Sequence, residues 1–298
     1  MKIGMVGLGK MGAGMTRRLL RGGHEVVAFD VNPDAVAALV ADKAEGASSL
    51  ADLVTKLDAP RAVWLMVPAG EITENTLADL EELLEAGDVV IDGGNSKYTD
   101  TLARGERLKA RGLSLVDAGT SGGVWGLEEG FSLMVGADED VFARLEPIFA
   151  ALAPEGGYGR MGRTGSGHYV KMVHNGIEYG LMQAYAEGFE ILERCDFDID
   201  LHQISEVWRH GSVIRSWLLD LAARALEEDP TLGKVAPWVD DSGEGRWTVE
   251  EAIQLAVPAP VIASALFARF ASRDDDSFGL KMLAALRHQF GGHATKSE

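Results

Sequence analysis

Lys2-Ile3-Gly4-Met5-Val6-Gly7-Leu8-Gly9-Lys10-Met11-Gly12 opens the chain with a short apolar run and then a G-x-G-x-x-G. The run predicts a strand and the residues after it a helix. In that context the first glycine permits a tight turn, the second lets a pyrophosphate approach the backbone, and the third lets helix and strand pack closely. The helix N-terminus adds unpaired N–H groups and the positive end of a dipole. Gly7, Leu8, Gly9, Lys10, Met11 and Gly12 are therefore the expected cradle of a dinucleotide. Asp30 ends the second apolar run, 18 residues after Gly12. An acidic residue there accepts hydrogen bonds from the adenosine ribose. No Arg or Lys follows in Val31-Asn32-Pro33-Asp34, so a 2′-phosphate would meet a carboxylate and no counter-charge. NAD is the expected cofactor, with NADP less favoured.

Outward from this stretch, short apolar runs alternate with helical patterns. The predicted strands are Ile3–Val6, Val26–Phe29, Val63–Val67, Val89–Ile91 and Leu115–Val116, with a further strand at Ser132–Val135. Helical patterns lie at Met15–Leu20, Ala35–Val40, Leu77–Leu84, Leu102–Ala110 and Val141–Ala150. Continuous apolar strands separated by helices imply a parallel sheet covered on both faces. The pattern changes at the turn-rich Pro154-Glu155-Gly156-Gly157, and after Gly167 it predicts helices alone. His168 to Glu193 contains no proline and reads as one helix, roughly 39 Å long at ~1.5 Å per residue. More helices are expected at Leu201–Trp208, Ile214–Leu226, Val249–Leu255, Val261–Phe270 and Leu280–Arg287. The fold class is thus an α/β dinucleotide-binding domain, doubly wound with a mainly parallel sheet, followed by an all-α C-terminal domain with a long interdomain helix. The expected domains are residues 1–163 and 164–298.

With 298 residues, 46% of them hydrophobic, the chain can bury two cores. A net charge of −18 makes nucleic acid a poor partner. The apolar run Ala256–Ala268 is short and broken by Pro258 and Pro260, so no membrane span is expected. One cysteine, Cys195, allows no intrachain disulfide, which fits a reducing compartment. The N-terminus begins a strand rather than a signal peptide, and a cytoplasmic location is expected.

The start of the long helix carries chemistry. In Lys171-Met172-Val173-His174-Asn175-Gly176-Ile177-Glu178, the residues Lys171, His174, Asn175 and Glu178 stand at i, i+3, i+4 and i+7, on one helix face. A lysine partly buried near a nicotinamide can lose its proton and act as base while hydride leaves the carbon of a secondary alcohol. A carboxylate β to the new ketone can leave as CO₂, and an acid such as Glu178 can protonate the carbon. No metal is expected, because the closely spaced ligands of a familiar metal motif are missing. Two loops join this set. Asp92-Gly93-Gly94-Asn95-Ser96 places Asn95 at the carboxyl edge of the sheet, where α/β ligands bind. In Asp117-Ala118-Gly119-Thr120-Ser121-Gly122-Gly123, read as a loop after a strand, backbone N–H groups and the Ser121 hydroxyl could hold a carboxylate.

These residues resemble the β-hydroxyacid dehydrogenases, and within them the decarboxylating 6-phosphogluconate dehydrogenases of the short, NAD-preferring form. The motifs are Gly7–Gly12, Met66-Val67-Pro68-Ala69-Gly70, Asp92–Ser96, Ser121-Gly122-Gly123, Leu133-Met134-Val135-Gly136 and Lys171–Tyr179. The resemblance implies Lys171 as base and Glu178 as acid. It implies that Ser121, Gly122, Gly123, His174 and Asn175 hold a sugar acid and Tyr179 its phosphate. Val67 and Pro68 would line the cofactor, and Asn95 would touch both substrate and nicotinamide. Phe267-Ala268-Arg269 resembles the phosphate-binding arginine segment. Arg287 and His293 resemble a closing pair that reaches the neighbouring subunit's site, which implies a homodimer or homotetramer. The implied reaction yields ribulose 5-phosphate and CO₂. Where long NADP enzymes carry a phosphate-binding lysine before Gly-Thr-Gly-Lys-Trp-Thr, this chain has Ser242-Gly243-Glu244-Gly245-Arg246-Trp247-Thr248. Two other readings remain: a dehydrogenase of a small 3-hydroxyacid such as 3-hydroxyisobutyrate, and a non-catalytic dinucleotide-binding regulator.

Overall fold

The computed structural model describes residues 1–291. Its sheet has eight strands: β1 (Lys2–Val6), β2 (Glu25–Phe29), β3 (Glu45–Gly46), β4 (Ala62–Leu65), β5 (Val89–Asp92), β6 (Ser114–Ser121), β7 (Ser132–Gly136) and β8 (Tyr158–Gly162). The spatial order is β3-β2-β1-β4-β5-β6-β7-β8. Only β6 and β7 pair antiparallel; every other neighbouring pair is parallel. The order reverses direction beside β1, where it continues to β4 rather than β3, and ligands of such sheets bind in the crevice at that switch.

Alternate residues of each central strand feed two separate cores, because successive side chains point to opposite faces. Ile3, Met5, Trp64, Ile91 and Val116 join one cluster. Val6, Val63, Leu65, Val90 and Leu115 join the other. This is the mainly parallel, doubly covered sheet that the apolar runs imply.

Several elements differ from the sequence reading, among them the helix Leu50–Thr55, which was not expected, and the helix expected from Val249, which begins at Glu244. First, β3 and β8 were not anticipated. β3 has two residues and pairs only with β2. β8 is Tyr-Gly-Arg-Met-Gly, an edge strand with no apolar run, drawn into the sheet by its ladder to β7. Second, Ser121 is not in a loop: β6 continues to it because Gly119, Thr120 and Ser121 pair with Met134, Leu133 and Ser132. Third, the helix expected from Ile214 begins at Trp217, because the Ser216 side chain caps it and accepts the Leu219 N–H at 3.1 Å.

The long helix runs Ser166–Glu193, roughly 42 Å at ~1.5 Å per residue. The chain divides into two compact units, Met1–His174 and Asn175–Glu298, so the division falls inside this helix. In the second unit the described residues form helices only: Leu201–Arg209, Trp217–Glu228, Glu244–Gln254, Pro260–Ala271 and Phe278–Gly291 follow the long one. A small core there gathers Tyr179, Ala265 and Leu266. Among the described residues no helix is long and apolar enough to cross a membrane.

Candidate active site

The glycine loop leaves β1 and enters the helix Lys10–Arg21. Gly7 has φ +90°, in the left-handed region that glycine alone adopts freely. A Cβ on Gly12 would lie 2.0 Å from the Gly7 carbonyl, so only glycine lets the helix start pack on the turn. A Cβ on Gly9 would meet nothing within 4 Å, and Gly9 and Lys10 are exposed. The loop therefore presents open space at the helix N-terminus, which fits a dinucleotide's phosphates. Leu8 is buried and Met11 half-buried. Asp30, at the end of β2, accepts the Leu8 N–H at 2.6 Å through one oxygen and the Asn32 N–H at 2.8 Å through the other. Beyond β4, Val67 borders the same turn, since its Cγ1 would lie 3.0 Å from a Cβ on Gly7. Pro68 follows, exposed.

Asn95 is exposed in the loop after β5. Sequence reasoning missed what fixes that loop. Arg104, only 4% exposed, donates through Nε to Glu74 at 2.9 Å, through Nη1 to the Ser96 hydroxyl at 3.3 Å and through Nη2 to the Gly70 carbonyl at 3.3 Å. It lies 3.7 Å from buried Asp92. One guanidinium thus ties the loop after β4 to the loop after β5. The signal was present: Thr101, Arg104 and Leu108 share one helix face, and all three are buried. The Glu74 carboxyl is held below the usual range, chiefly by the Arg104 hydrogen bond.

The long helix is anchored on β6. Asp117 accepts the Gly165 N–H at 2.6 Å and the His168 N–H at 2.7 Å, two of the donors a helix start leaves unpaired. Burial pushes the Asp117 carboxyl up, against those donors and His168. Thr101 Oγ1 meets His168 Nδ1 at 2.8 Å. A Cβ on Gly119 would stand 2.4 Å from Lys171 Cβ and 2.8 Å from the Gly167 carbonyl. Glycine at 119 is what lets the helix bring Lys171 against the strand. Lys171 is 7% exposed, and its Nζ lies 3.4 Å from His174 Nδ1. Ser121 and Gly122, half-buried, and exposed Gly123 end β6 and turn away from it; both glycines have positive φ.

Within the second unit, Asn175 is buried and donates through Nδ2 to Glu244 Oε1 at 3.1 Å. Glu178 is half-buried on the same helix. Tyr179 is buried; its hydroxyl accepts the Ser242 N–H at 3.2 Å. The Arg269 guanidinium lies over the Tyr179 ring, 3.5 Å from its centroid, and donates to the Asp240 carbonyl at 2.6 Å. Arg246 pairs with Asp241 at 3.1 Å and covers the Phe270 ring. Arg287 is exposed on the helix Phe278–Gly291, and His293 lies outside the described residues.

Within the first unit, an open glycine turn at a helix N-terminus and a buried lysine form a set that suits dinucleotide-dependent oxidation of an alcohol. Comparison with known proteins agrees. Residues 2–166 match the family described as the NAD binding domain of 6-phosphogluconate dehydrogenase. Residues 167–281 match the family described as the 6-phosphogluconate dehydrogenase C-terminal domain. The chain is 49% identical over 296 residues to a NAD(+)-dependent, decarboxylating 6-phosphogluconate dehydrogenase of Haloferax volcanii, covering 98% of both chains. It is similar to the structure of Plasmodium falciparum 6-phosphogluconate dehydrogenase, described in apo form and with NADP+ or 6-phosphogluconate. There the TM-score is 0.84 at 26% identity, and the match covers 100% of this chain and 66% of that one. A Salmonella typhimurium 3-hydroxyisobutyrate dehydrogenase matches with a TM-score of 0.77 at 27% identity, covering 92% of this chain and 95% of that one. Two family domains in sequence and close identity over the full length lead to one conclusion: this chain belongs to the 6-phosphogluconate dehydrogenase family.

Proposed function

We propose that the chain oxidises 6-phosphogluconate with NAD and decarboxylates it to ribulose 5-phosphate. Residues 1–163 serve the dinucleotide, and residues 164–298 serve substrate and assembly. The observation that carries this reading is Lys171: a lysine 7% exposed, held against Gly119, with its ammonium nitrogen 3.4 Å from an imidazole nitrogen. Burial disfavours a charged amine, and a neutral amine accepts the hydroxyl proton. When bound, NAD supplies the hydride acceptor. Lys171, then protonated, stabilises the developing enolate oxygen as CO₂ leaves, and Glu178 returns a proton to carbon. Ser121, Gly122, Gly123, His174 and Asn175 hold the sugar acid, and Asn95 touches substrate and nicotinamide. Tyr179 and Arg269 hold the phosphate; the stacked guanidinium keeps further N–H donors for its oxygens. Asp30 selects NAD over NADP. Arg287 and His293 complete the site of a neighbouring copy in a homodimer or homotetramer.

The likeness to a 3-hydroxyisobutyrate dehydrogenase favours a second reading, a small hydroxyacid substrate. That substrate has no use for Arg269 stacked on Tyr179. Assays of 6-phosphogluconate, gluconate and 3-hydroxyisobutyrate, each with NAD and NADP, separate the two. The expected result is turnover of 6-phosphogluconate with NAD and release of CO₂. Turnover of 3-hydroxyisobutyrate alone would overturn the proposal.

A further inference from the structure

Glu244 is 2% exposed, yet it carries a carboxylate, and one of its oxygens, Oε2, is buried without a hydrogen-bond partner. Buried acidic groups are rare unless paired. The other oxygen, Oε1, takes the Asn175 amide at 3.1 Å. Glu244 is the first residue of the eleven-residue helix Glu244–Gln254, where the positive end of the dipole tolerates an anion. That helix start is also packed on the proposed phosphate residues: a Cβ on neighbouring Gly245 would lie 2.4 Å from the Tyr179 ring.

Resting on the reading above, we infer that Glu244 is a positioning and substrate-hydroxyl-accepting residue. A carboxylate only accepts hydrogen bonds, whereas an amide has a donating and an accepting end. Glu244 Oε1 therefore fixes which way the Asn175 amide points: Nδ2 toward Glu244 and Oδ1 the other way. Oε2 then takes a hydroxyl of the sugar acid's polyol chain, which satisfies the buried oxygen only when substrate is bound. The same carboxylate closes the helix N-terminus to the phosphate, which is left to Tyr179 and Arg269.

The test is Glu244→Gln, which keeps the shape but gives the side chain a donating end. The KM for 6-phosphogluconate is expected to rise about tenfold or more, the scale of a hydrogen bond to a charged group. The KM for NAD should stay unchanged, a split that a loss of folding would not produce. Three substrate analogues, each lacking one non-reacting hydroxyl (at C2, C4 or C5), locate the contact: for one of them the penalty of Glu244→Gln should vanish. Glu244→Asp, which withdraws the carboxylate and keeps its charge, is read the same way if the glutamine variant does not fold. An unchanged KM for 6-phosphogluconate in a variant overturns the inference alone, and a penalty that persists for all three analogues overturns the hydroxyl contact. A wild-type enzyme that leaves 6-phosphogluconate untouched overturns the proposed function and this inference together.

Discussion

Asp30 holds the backbone of Leu8: its carboxylate accepts the Leu8 N–H at 2.6 Å across 22 residues of sequence. The residue expected to choose the cofactor therefore also braces the glycine loop. Two substitutions separate these tasks. Asp30→Asn removes the charge and keeps an acceptor, so the ratio of kcat/KM for NAD over NADP should fall. A unit charge ~4 Å from another is worth about 1–4 kcal/mol between bulk and surface dielectrics, or roughly fivefold to nearly a thousandfold. Asp30→Ala also releases Leu8 and should lower kcat/KM for both cofactors. A wild-type enzyme that prefers NADP would contradict this account of Asp30.

Lys171→Met should abolish oxidation while NAD still binds, because Lys171 lies against Gly119 through its Cβ and Cγ and methionine keeps that packing. Loss of one general acid–base group costs ~10²–10⁴ in rate. Glu178→Gln should instead slow the steps after hydride transfer, so that a first turnover of NADH forms faster than steady-state turnover. Retention of most activity in Lys171→Met would remove the base from the mechanism.

Arg104→Leu tests the tie between the loops after β4 and β5. It leaves Asp92, 1% exposed, with the Ser96 hydroxyl and the Gly94 N–H but without the guanidinium that lies 3.7 Å away in the wild type. Breaking a buried pair by removing one partner costs about 3–5 kcal/mol, so thermal denaturation should shift well downward and the KM for NAD should rise. The variant should also respond differently to acid. Glu74 has its pKa lowered in the folded protein, chiefly by Arg104. It therefore contributes stability above the unfolded carboxylate pKa of ~4.3, and that contribution is lost as pH falls through the lowered value. Glu74 is partly solvated, so the contribution is small, but part of it should be missing from Arg104→Leu. A wild type and variant with parallel stability–pH curves would remove Arg104 as the cause.

Residues that announce themselves by local spacing were legible in the sequence. The glycines of Gly7–Gly12 and the apolar run of β5 needed no distant information. Lys171, His174, Asn175 and Glu178 are spaced for one helix face by sequence alone. What was hidden depends on partners far along the chain. Tyr158–Gly162 has no strand pattern of its own and exists because β7 offers it a ladder. Arg104 meets Glu74 across 30 residues, and Glu244 meets Asn175 across 69. A lone charge in an amphipathic helix reads as solvated, since most are. Only the folded partner shows that these two are buried.

The helix Phe278–Gly291 leaves Phe278 73% exposed and Leu280 68% exposed, with Leu283 and Leu286 also in solvent. Exposed apolar residues in that number would suit contact with a neighbouring copy. Arg287 follows these residues directly and is itself exposed. A substrate with a carboxylate and a phosphate calls for more than one cation, and a planar guanidinium can hold two phosphate oxygens at once. Truncation after Leu286 removes Arg287 and His293 together and should raise the KM for 6-phosphogluconate far more than the KM for NAD. The sharper experiment mixes two inactive variants, Lys171→Met and Arg287→Ala, under conditions where subunits exchange. If Arg287 serves the neighbour, some mixed assemblies contain one site with Lys171 from one subunit and Arg287 from the other. Activity should then return in part, and only after mixing. Proven exchange without recovery would mean that each chain closes its own site, and Arg287 would then have to act in cis.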